Sequence, residues 1–173
     1  MAEYTHSRAS ATVEVSVSAD QFVEAAADWV SHVSHFKNFP FKLGKCVYAE
    51  GSSTGKLPCT RLLYVDKTGM TKAEADAYPE YFRETLLKVD REARALFYMI
   101  EGEAIGMRNY FACKEVDALG SNRCRVTISS RFDLNASVSS EQHVTLLEEV
   151  YRVLIAGVSD SAKNQAGRSP NHI

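Results

Sequence analysis

Six strand-like segments follow one another through the middle of the chain, and this run restricts the available folds more than any other feature. Turn-forming residues separate the segments, so consecutive strands are expected to pair as antiparallel neighbours. Between residues 45 and 134 the segments are KCVYAEG, LPCTRLLYVD, EYFRETLLKVD, ALFYMIEGE, MRNYFACKEVDA and RCRVTISSRFDL. Consecutive strands of this kind predict a strongly curved antiparallel sheet.

A further strand is predicted near the N-terminus. In residues 10–18, Val13, Val15 and Val17 alternate with polar residues, as they do in a strand with one buried face. The polar residues 1–9 are expected to be flexible. With this addition, the sheet is expected to contain about seven strands.

Two short helices are predicted to follow the N-terminal strand. Apolar residues in the segment 21–33 recur at helical spacing, and Ser18 can cap the start of this helix. Residues 35–41 are expected to form a second short helix that ends near Pro40. The connection formed by residues 66–79 is expected to be a flexible loop or to contain a helical turn.

The last predicted element is a long amphipathic helix that must bury its apolar side. Its apolar residues at helical spacing are Val144, Leu147, Val150, Tyr151, Leu154, Ile155 and Val158. The concave face of the sheet is available to cover them. The predicted fold is therefore α+β, with a curved antiparallel sheet wrapped around the C-terminal helix and an internal hydrophobic cavity between them. One domain is expected over residues 10–164, followed by a flexible tail over 165–173.

The composition is that of an ordinary globular protein and excludes several classes of function. The 173 residues are 45% hydrophobic and 24% charged, and the formal net charge of −2 does not favour binding to nucleic acid. No apolar run is long enough to span a bilayer, and the polar N-terminus does not resemble a secretory signal. A cytoplasmic protein, monomeric or weakly dimeric, is expected.

The four cysteines do not show the spacing of a metal site. Cys46, Cys59, Cys113 and Cys124 all lie in predicted strands, and none forms a C-x-x-C pair. Reduced thiols in the protein core are expected, and no metal or cofactor is predicted.

The most informative single residue is Glu84, because a strand places it on the same face as Phe82 and Leu86. A carboxylate on a buried face must be paired, neutralised or used in chemistry. Arg61 shares a strand face with Leu63, although apolar residues at the alternate positions leave the orientation of this strand open. The two opposite charges predict either a structural ion pair or an acid–base site.

The segments GKLPCTRLLYVD, RETLLKVDREARALFYMIEG and MRNYFACKEVDALGSNRCRVTISSRFD, together with the order of the elements, carry a family resemblance. They resemble the polyketide cyclase/dehydrase branch of the START-like, birch-pollen-allergen-like superfamily over roughly residues 10–164. This resemblance implies a helix-grip fold with an internal cavity. It also implies one of several functions, because such folds include carriers, receptors, cyclases and lyases.

Within this superfamily, the middle strands are similar to those of lachrymatory-factor synthase-like proteins and of abscisic-acid receptors. The likeness to the synthases implies that Arg61, Glu84 and Tyr110 face the cavity as catalytic residues. It also places Tyr151 where the synthases have a tryptophan, so the pocket is expected to differ in shape. The gate loop of the receptors has no clear counterpart in residues 66–79, and sensing of the same hormone is not expected.

The residues and the resemblance together predict a cofactor-independent enzyme of the lyase, isomerase or cyclase type. Glu84 and Tyr110 are expected to move protons, while Arg61 holds the carbonyl or anionic end of a small carbonyl-, thial- or polyketide-like substrate. Two alternatives remain open. One is a carrier or receptor for a hydrophobic small molecule, and the other is a partner-binding module with a small or filled cavity.

Other residues are predicted to line the cavity or to play no part in it. The expected walls are Leu63, Phe82, Phe97, Met99, Ile128, Phe132, Leu147 and Tyr151. Trp29 is expected to pack between helices or to stack on the ligand. His32 and His35 are expected on a helix surface without a third metal ligand, and His143 is expected to be exposed.

Overall fold

A seven-stranded antiparallel sheet and a long helix form the computed structural model, which describes residues 2–167. The strand order is β1-β7-β6-β5-β4-β3-β2, so the first two strands lie at opposite edges of the sheet. The strands are β1 Tyr4–Val15, β2 Leu43–Tyr48, β3 Cys59–Val65, β4 Tyr81–Asp90, β5 Ala95–Ile100, β6 Met107–Gly120 and β7 Arg123–Asn135. This sheet and its connections confirm the predicted fold class.

Within residues 2–167, three α-helices and one short 3₁₀ helix accompany the sheet. Helix α1 spans Ala19–Ala27, the 3₁₀ helix spans Ser31–His35, α2 spans Lys72–Ala77 and α3 spans Ser140–Ala166. The side chain of Ser18 accepts a hydrogen bond from the first turn of α1 and completes a capping box with Gln21. Helix α2 shows that the connection between β3 and β4 contains a helical turn, one of the two alternatives predicted for it.

The apolar side of α3 packs on the inner face of the sheet and on α1. Leu147, Tyr151, Ile155 and Val158 are buried along this side of the helix. Strand β7 contributes alternate buried residues from Cys124 to Leu134, while the residues between them point outward. The core therefore lies between the sheet and the C-terminal helix, as predicted from the two periodicities.

The first strand begins earlier than the sequence pattern indicated. Residues 4–9, expected to be flexible, pair in register with β7, from Tyr4 opposite Asn135 to Ala9 opposite Ser130. The side chains that point inward at this edge of the sheet are small: Ala9 and Ala11 are both buried. Small side chains do not produce a clear alternation of large apolar and polar residues, so the sequence pattern indicated a strand only from the valines that follow.

Two other boundaries also differ from the prediction. The second short helix covers Ser31–His35 instead of residues 35–41, and residues 36–42 contain no helix or strand. Asn38 adopts a positive φ of 58°, which a continuing helix does not allow. Helix α3 extends to Ala166, two residues into the predicted tail, and residues 168–173 lie outside the described part of the chain.

Among the helices formed by residues 2–167, none has both the length and the apolar character needed to cross a membrane.

Candidate functional site

A small, mostly apolar cavity lies between the inner face of the sheet and helix α3. Its volume is about 50 Å³, which is room for a few water molecules and less than a drug-sized ligand needs. The segment between the 3₁₀ helix and β2 contributes Phe39 and Phe41, and the connection between β5 and β6 contributes Ile105. The polar residues in its wall are Arg61, Glu84, Tyr98, Tyr110, Lys114 and Tyr151.

Four strands place the three predicted catalytic residues in one row across the sheet. Arg61 is directly opposite Glu84, Glu84 is opposite Ile100, and Ile100 is opposite Tyr110. All four line the cavity. The strand faces predicted for Glu84 and Arg61 are therefore the ones observed. Neighbouring strands lie ~4.8 Å apart, so this row holds the three polar side chains at the same height along the strands, on one wall of the cavity.

The guanidinium group of Arg61 is almost completely engaged by the protein itself. Its Nε–H donates to Oε2 of Glu84 at 2.6 Å, and its Nη1 donates to the carbonyl oxygen of Trp29 at 2.6 Å. Nη1 also lies 3.0 Å from Nε2 of His32, and Nη2 contacts the same Glu84 oxygen. Only 2% of Arg61 is exposed. These bonds leave little of the guanidinium free for a ligand and point to a positioning role.

The second carboxylate oxygen of Glu84 remains available. Both contacts with Arg61 use Oε2, and Oε1 meets no donor among residues 2–167. The backbone carbonyl of Glu84 accepts a hydrogen bond from the indole Nε1–H of Trp29 at 3.2 Å. The carboxylate is thus fixed through one oxygen and through its backbone, while the other oxygen can meet a molecule in the cavity.

His32 is fully buried beside this ion pair, so the prediction of a surface histidine was wrong. Its Nδ1 lies 3.1 Å from the carbonyl oxygen of Ala25, which can only accept a hydrogen bond. Nδ1 therefore carries the proton, and Nε2 accepts from Arg61. Burial, reinforced by the positive charges of Arg61 and Lys114, holds the pKa of His32 well below its usual value. The ring is neutral at physiological pH.

A chain of hydroxyl groups lies at the other end of the row. Tyr110 Oη is 2.8 Å from Tyr151 Oη, and Tyr151 donates to Oγ of Ser130. Burial raises the pKa of Tyr110 well above its usual value, and that of Tyr151 to about 12. Both tyrosines are therefore protonated at neutral pH and can donate or relay a proton. The hydroxyl of Tyr98, also buried at the cavity, has no hydrogen-bond partner among residues 2–167.

Lys114 is the functional candidate that the sequence reasoning missed. Only 1% of this residue is exposed, and it lies in the cavity wall. Burial, together with the charge of Arg61, lowers the pKa of Lys114 to about 7, although Glu84 opposes the shift. The strand alternation of Tyr110, Ala112 and Lys114 places all three on the inner face. The same argument that identified Glu84 therefore applies to this lysine.

The structure separates the predicted wall residues into three groups. Leu63, Phe82, Leu147 and Tyr151 line the cavity as predicted. Ile128, Phe132 and Trp29 are buried but belong to the surrounding core. Phe97 and Met99 are absent from the cavity wall, which instead contains Tyr98 and Ile100.

The two misplaced residues belong to a strand with no polar positions. Every residue of β5, ALFYMI, is apolar or aromatic, so alternation does not show which side faces inward. The ring of Phe97 packs against Phe111 of the neighbouring strand, with ring centroids 6.3 Å apart. Phe97 and Met99 alternate with the cavity residues of this strand and occupy the outer face of the sheet.

His143 was also assigned wrongly from the sequence. It is 6% exposed and packs near Phe132, with ring centroids 6.0 Å apart. Within residues 2–167, no three or more His, Cys, Asp or Glu side chains are grouped so that they could hold a metal ion. All four cysteines are free thiols.

A wider groove borders the cavity on the outside. It has a volume of about 650 Å³ and lies between the end of α2, the connection between β5 and β6, and the start of α3. Ile105 lines both the groove and the cavity. Its φ of 47° is strained for a β-branched residue. The side chain of Ile105 thus stands between the outer groove and the inner cavity.

Comparison with known proteins supports the fold and leaves the reaction undefined. No protein-family model matches the chain, and no curated protein matches its sequence. Norcoclaurine synthase from Thalictrum flavum, solved with a transition-state analogue, matches with a TM-score of 0.69 at 15% identity, over 96% of this chain and 99% of that chain. Another structure of this synthase contains dopamine and hydroxybenzaldehyde and matches with a TM-score of 0.68 at 15% identity, over 97% of this chain and 91% of that chain.

A bacterial enzyme shows the same fold. The Zhui aromatase/cyclase from Streptomyces sp. R1128 matches with a TM-score of 0.63 at 18% identity, over 98% of this chain and 100% of that chain. These likenesses extend over nearly the whole chain. They confirm the fold that the sequence predicted.

Proposed function

Because the chain has the helix-grip fold of START-like, birch-pollen-allergen-like proteins, we propose that it is a small enzyme acting on carbonyl compounds. It binds an apolar carbonyl-, thial- or polyketide-like molecule in the inner cavity and rearranges, cyclises or dehydrates it by acid–base chemistry. The observation that carries this proposal is the row from Arg61 through Glu84 to Tyr110 along the cavity wall. The chemistry requires no metal or organic cofactor.

Glu84 is the proton acceptor in this proposal. Glu84 lines an apolar cavity, and its Oε1 takes no part in the bonds to Arg61, so this oxygen is available to take a proton from a carbon next to a carbonyl group. The bonds from Arg61 fix the other oxygen and so restrict the orientation of the carboxylate. Arg61 therefore acts through Glu84, and we assign it a positioning role in place of the ligand contact expected from the sequence.

The tyrosines supply the complementary donors. Removal of a proton beside a carbonyl places negative charge on the carbonyl oxygen, which must be stabilised. The hydroxyls of Tyr98 and Tyr110 lie in the same wall as Glu84, and both are buried and protonated. Tyr151 and Ser130 continue from Tyr110 as a path along which a proton can be returned.

Ligand entry requires the cavity to open, since its volume of about 50 Å³ is smaller than a phenolic or polyketide-like molecule. Ile105 stands between the cavity and the outer groove, and its strained backbone favours displacement. We propose that ligands enter from the groove past this side chain.

A partner-binding module is the alternative that the small cavity favours. A protein that acts only through its surface does not need an internal pocket large enough for a ligand, and the small observed cavity volume is consistent with such a role. It would, however, have to maintain a buried lysine and an unpartnered Tyr98 hydroxyl at the cavity without benefit. Buried groups of this kind reduce stability, and they are expected where a ligand supplies their missing partner.

A ligand search with matched variants tests the proposal. Wild type, Glu84→Gln and Glu92→Gln are compared, because Glu92 is an exposed carboxylate in the turn after β4. Native mass spectrometry and thermal shift identify ligands among small aldehydes and ketones, phenolic polyketide-like compounds and fatty acids. Product is then measured by chromatography coupled to mass spectrometry.

The enzyme proposal expects product from wild type and Glu92→Gln and none from Glu84→Gln. Equal binding by all three proteins without product would instead indicate a carrier or receptor. If no compound binds any of them, the partner-binding alternative is favoured.

A further inference from the structure

Lys114 is a buried amine without a partner, next to the site described above. It lies on the inner face of β6, opposite Leu96 on one side and Ile128 on the other. Its Nζ forms no ion pair or hydrogen bond with any of residues 2–167, although Arg61 and Glu84 are near enough to influence its charge. An ammonium group in such surroundings is strongly disfavoured.

The amine lies near two aromatic rings, and the guanidinium group of Arg61 also lies over one of them. Nζ lies 5.1 Å from the ring centroid of Tyr98 and 5.2 Å from that of Trp29. The guanidinium carbon of Arg61 lies 4.0 Å from the same Trp29 ring. The charge of Arg61 therefore opposes a second full positive charge on Lys114, and burial acts in the same direction.

A neutral amine in the wall of an apolar cavity is a nucleophile. Surface lysines are almost entirely protonated at neutral pH and cannot attack a carbonyl group efficiently. A pKa of about 7 leaves about half of Lys114 unprotonated at pH 7. The nearest carboxylate, that of Glu84, is bound by Arg61 through Oε2 and forms no ion pair with Lys114.

We propose that Lys114 attacks the carbonyl carbon of a bound aldehyde or ketone and forms an imine. The proposal rests on the proposed function and deepens it, because it identifies the substrate as an aldehyde or ketone and adds a covalent step. Attack by the amine forms a C–N bond and moves the C=O π electrons to oxygen. A proton passes from nitrogen to that oxygen, and water then leaves as the C=N bond forms. The overall change is R–CHO plus Lys–NH₂ to R–CH=N–Lys plus H₂O.

The residues around Lys114 match the proton transfers that this sequence needs. Loss of water requires a donor at the departing oxygen, and the hydroxyls of Tyr98 and Tyr110 lie in the same wall. Once the imine nitrogen is protonated, it withdraws electrons from the adjacent carbon. The C–H bond on the next carbon, α to the imine carbon, thereby becomes acidic, and Glu84 can take its proton to leave a neutral enamine. Return of a proton to the α carbon restores the protonated imine, and addition of water to its C=N bond releases the carbonyl compound and the free amine.

Reductive trapping on the intact protein tests this inference directly. Wild type is incubated at pH 7 with formaldehyde, propanal or benzaldehyde in the presence of cyanoborohydride, and the alkylated lysines are identified by peptide mass spectrometry. Formaldehyde is included because it fits the cavity without any opening. Lys45 is the internal reference, since its Nζ also lies over an aromatic ring, 4.6 Å from the centroid of Tyr64, but on the exposed surface.

Lys114 is expected to be alkylated at least tenfold faster than Lys45 at pH 7, and this advantage should shrink as the pH rises toward 10. Lys114→Arg removes the nucleophilic amine and should show no adduct at this position. Alkylation of Lys45 without alkylation of Lys114 by formaldehyde would overturn the inference. This readout requires no turnover and no folded variant.

The trapping result also separates this inference from the proposed function. An adduct that forms in wild type and in Glu84→Gln, with product formed only by wild type, supports both. Product without an adduct in wild type overturns the role of Lys114 and leaves the acid–base proposal standing. An adduct in wild type without product from any carbonyl compound supports the reactive lysine and contradicts the proposed function.

Discussion

Arg61 and Glu84 lie directly opposite each other on β3 and β4, and Arg61 Nε–H donates to Glu84 Oε2 at 2.6 Å on the buried side of the sheet. The same guanidinium group binds the carbonyl oxygen of Trp29 and the ring nitrogen of His32. The pair therefore joins strands β3 and β4 to Trp29, between α1 and the 3₁₀ helix, and to His32 in the 3₁₀ helix. It fixes the carboxylate that we propose as the catalytic base.

Removing one member of this pair should destabilise the protein strongly. Arg61→Leu leaves the Glu84 carboxylate buried without its partner and is expected to lower the free energy of unfolding by about 3–5 kcal/mol. Chemical denaturation followed by circular dichroism measures the change. Arg83→Ala is the matched control, because Arg83 and Glu101 form a pair at 2.7 Å on the exposed side of the same sheet. That substitution should cost only about 0–1 kcal/mol. Similar losses in both variants would contradict the importance given to the buried pair.

Lys114→Met should stabilise the protein, and the gain should depend on pH. The pKa of Lys114 is about 7 in the folded state, against 10.5 for a lysine in an unfolded chain. The unfolded state therefore binds more protons between these values, and the stability of wild type rises with pH in this window. The advantage of Lys114→Met should be largest below pH 7 and shrink by ~1.4 kcal/mol per pH unit up to about pH 10. A difference that stays constant from pH 6 to pH 10 would contradict a depressed pKa.

His32 should remain neutral and carry its proton on Nδ1. Burial and the nearby cations lower the pKa of His32, so its contribution to stability is present above pH 6.5 and is lost as the pH falls toward the folded pKa. Nitrogen chemical shifts of the labelled ring identify the tautomer, with the half-exposed His35 as a reference in the same spectrum. We expect the spectrum to show the neutral Nδ1–H form of His32 at neutral pH. An Nε2–H tautomer, or a doubly protonated His32 ring at neutral pH, would contradict the assignment.

Ile105→Gly should accelerate ligand entry with little loss of stability. Glycine adopts the positive φ of residue 105 without strain, which offsets part of the lost apolar contact, and it opens the boundary between groove and cavity. Stopped-flow binding of a hydrophobic fluorescent dye measures the association rate. Asn109→Gly is the control, because Asn109 also has a positive φ, of 53°, but does not line the cavity. An unchanged rate in Ile105→Gly would show that ligands use another route.

The strand alternation predicted most of the site, and its limits explain the errors. Glu84 was recognisable because a charged residue interrupts an apolar face, and Lys114 meets the same criterion in β6. In β5 every position is apolar or aromatic, so its orientation depends on pairing with β4 and β6. The burial of His32 depends on how the 3₁₀ helix packs over Arg61, a tertiary contact that has no local signal.

The cavity volume was beyond any pattern in the sequence. The volume depends on the distance between α3 and the sheet and on the positions of Phe39 and Phe41 in the irregular segment before β2. Gly157 illustrates the difficulty, because a Cβ added there would lie 2.3 Å from the ring of Phe36. This close packing of α3 against Phe36 helps to set the position of the helix over the sheet. A single glycine in an amphipathic pattern does not indicate that position.

Hydrogen–deuterium exchange at the carbon next to a carbonyl group reports on proton removal by Glu84 without any need to know the product. Wild type, Glu84→Gln and Glu92→Gln are incubated in D₂O with small aldehydes and ketones that bind, and proton NMR follows loss of the signal from that carbon. We predict exchange catalysed equally by wild type and Glu92→Gln, and slower by a factor of at least ~100 in folded Glu84→Gln. Exchange that is no faster than without protein, or equally fast in Glu84→Gln, would contradict Glu84 as the base that removes a proton from a carbonyl substrate.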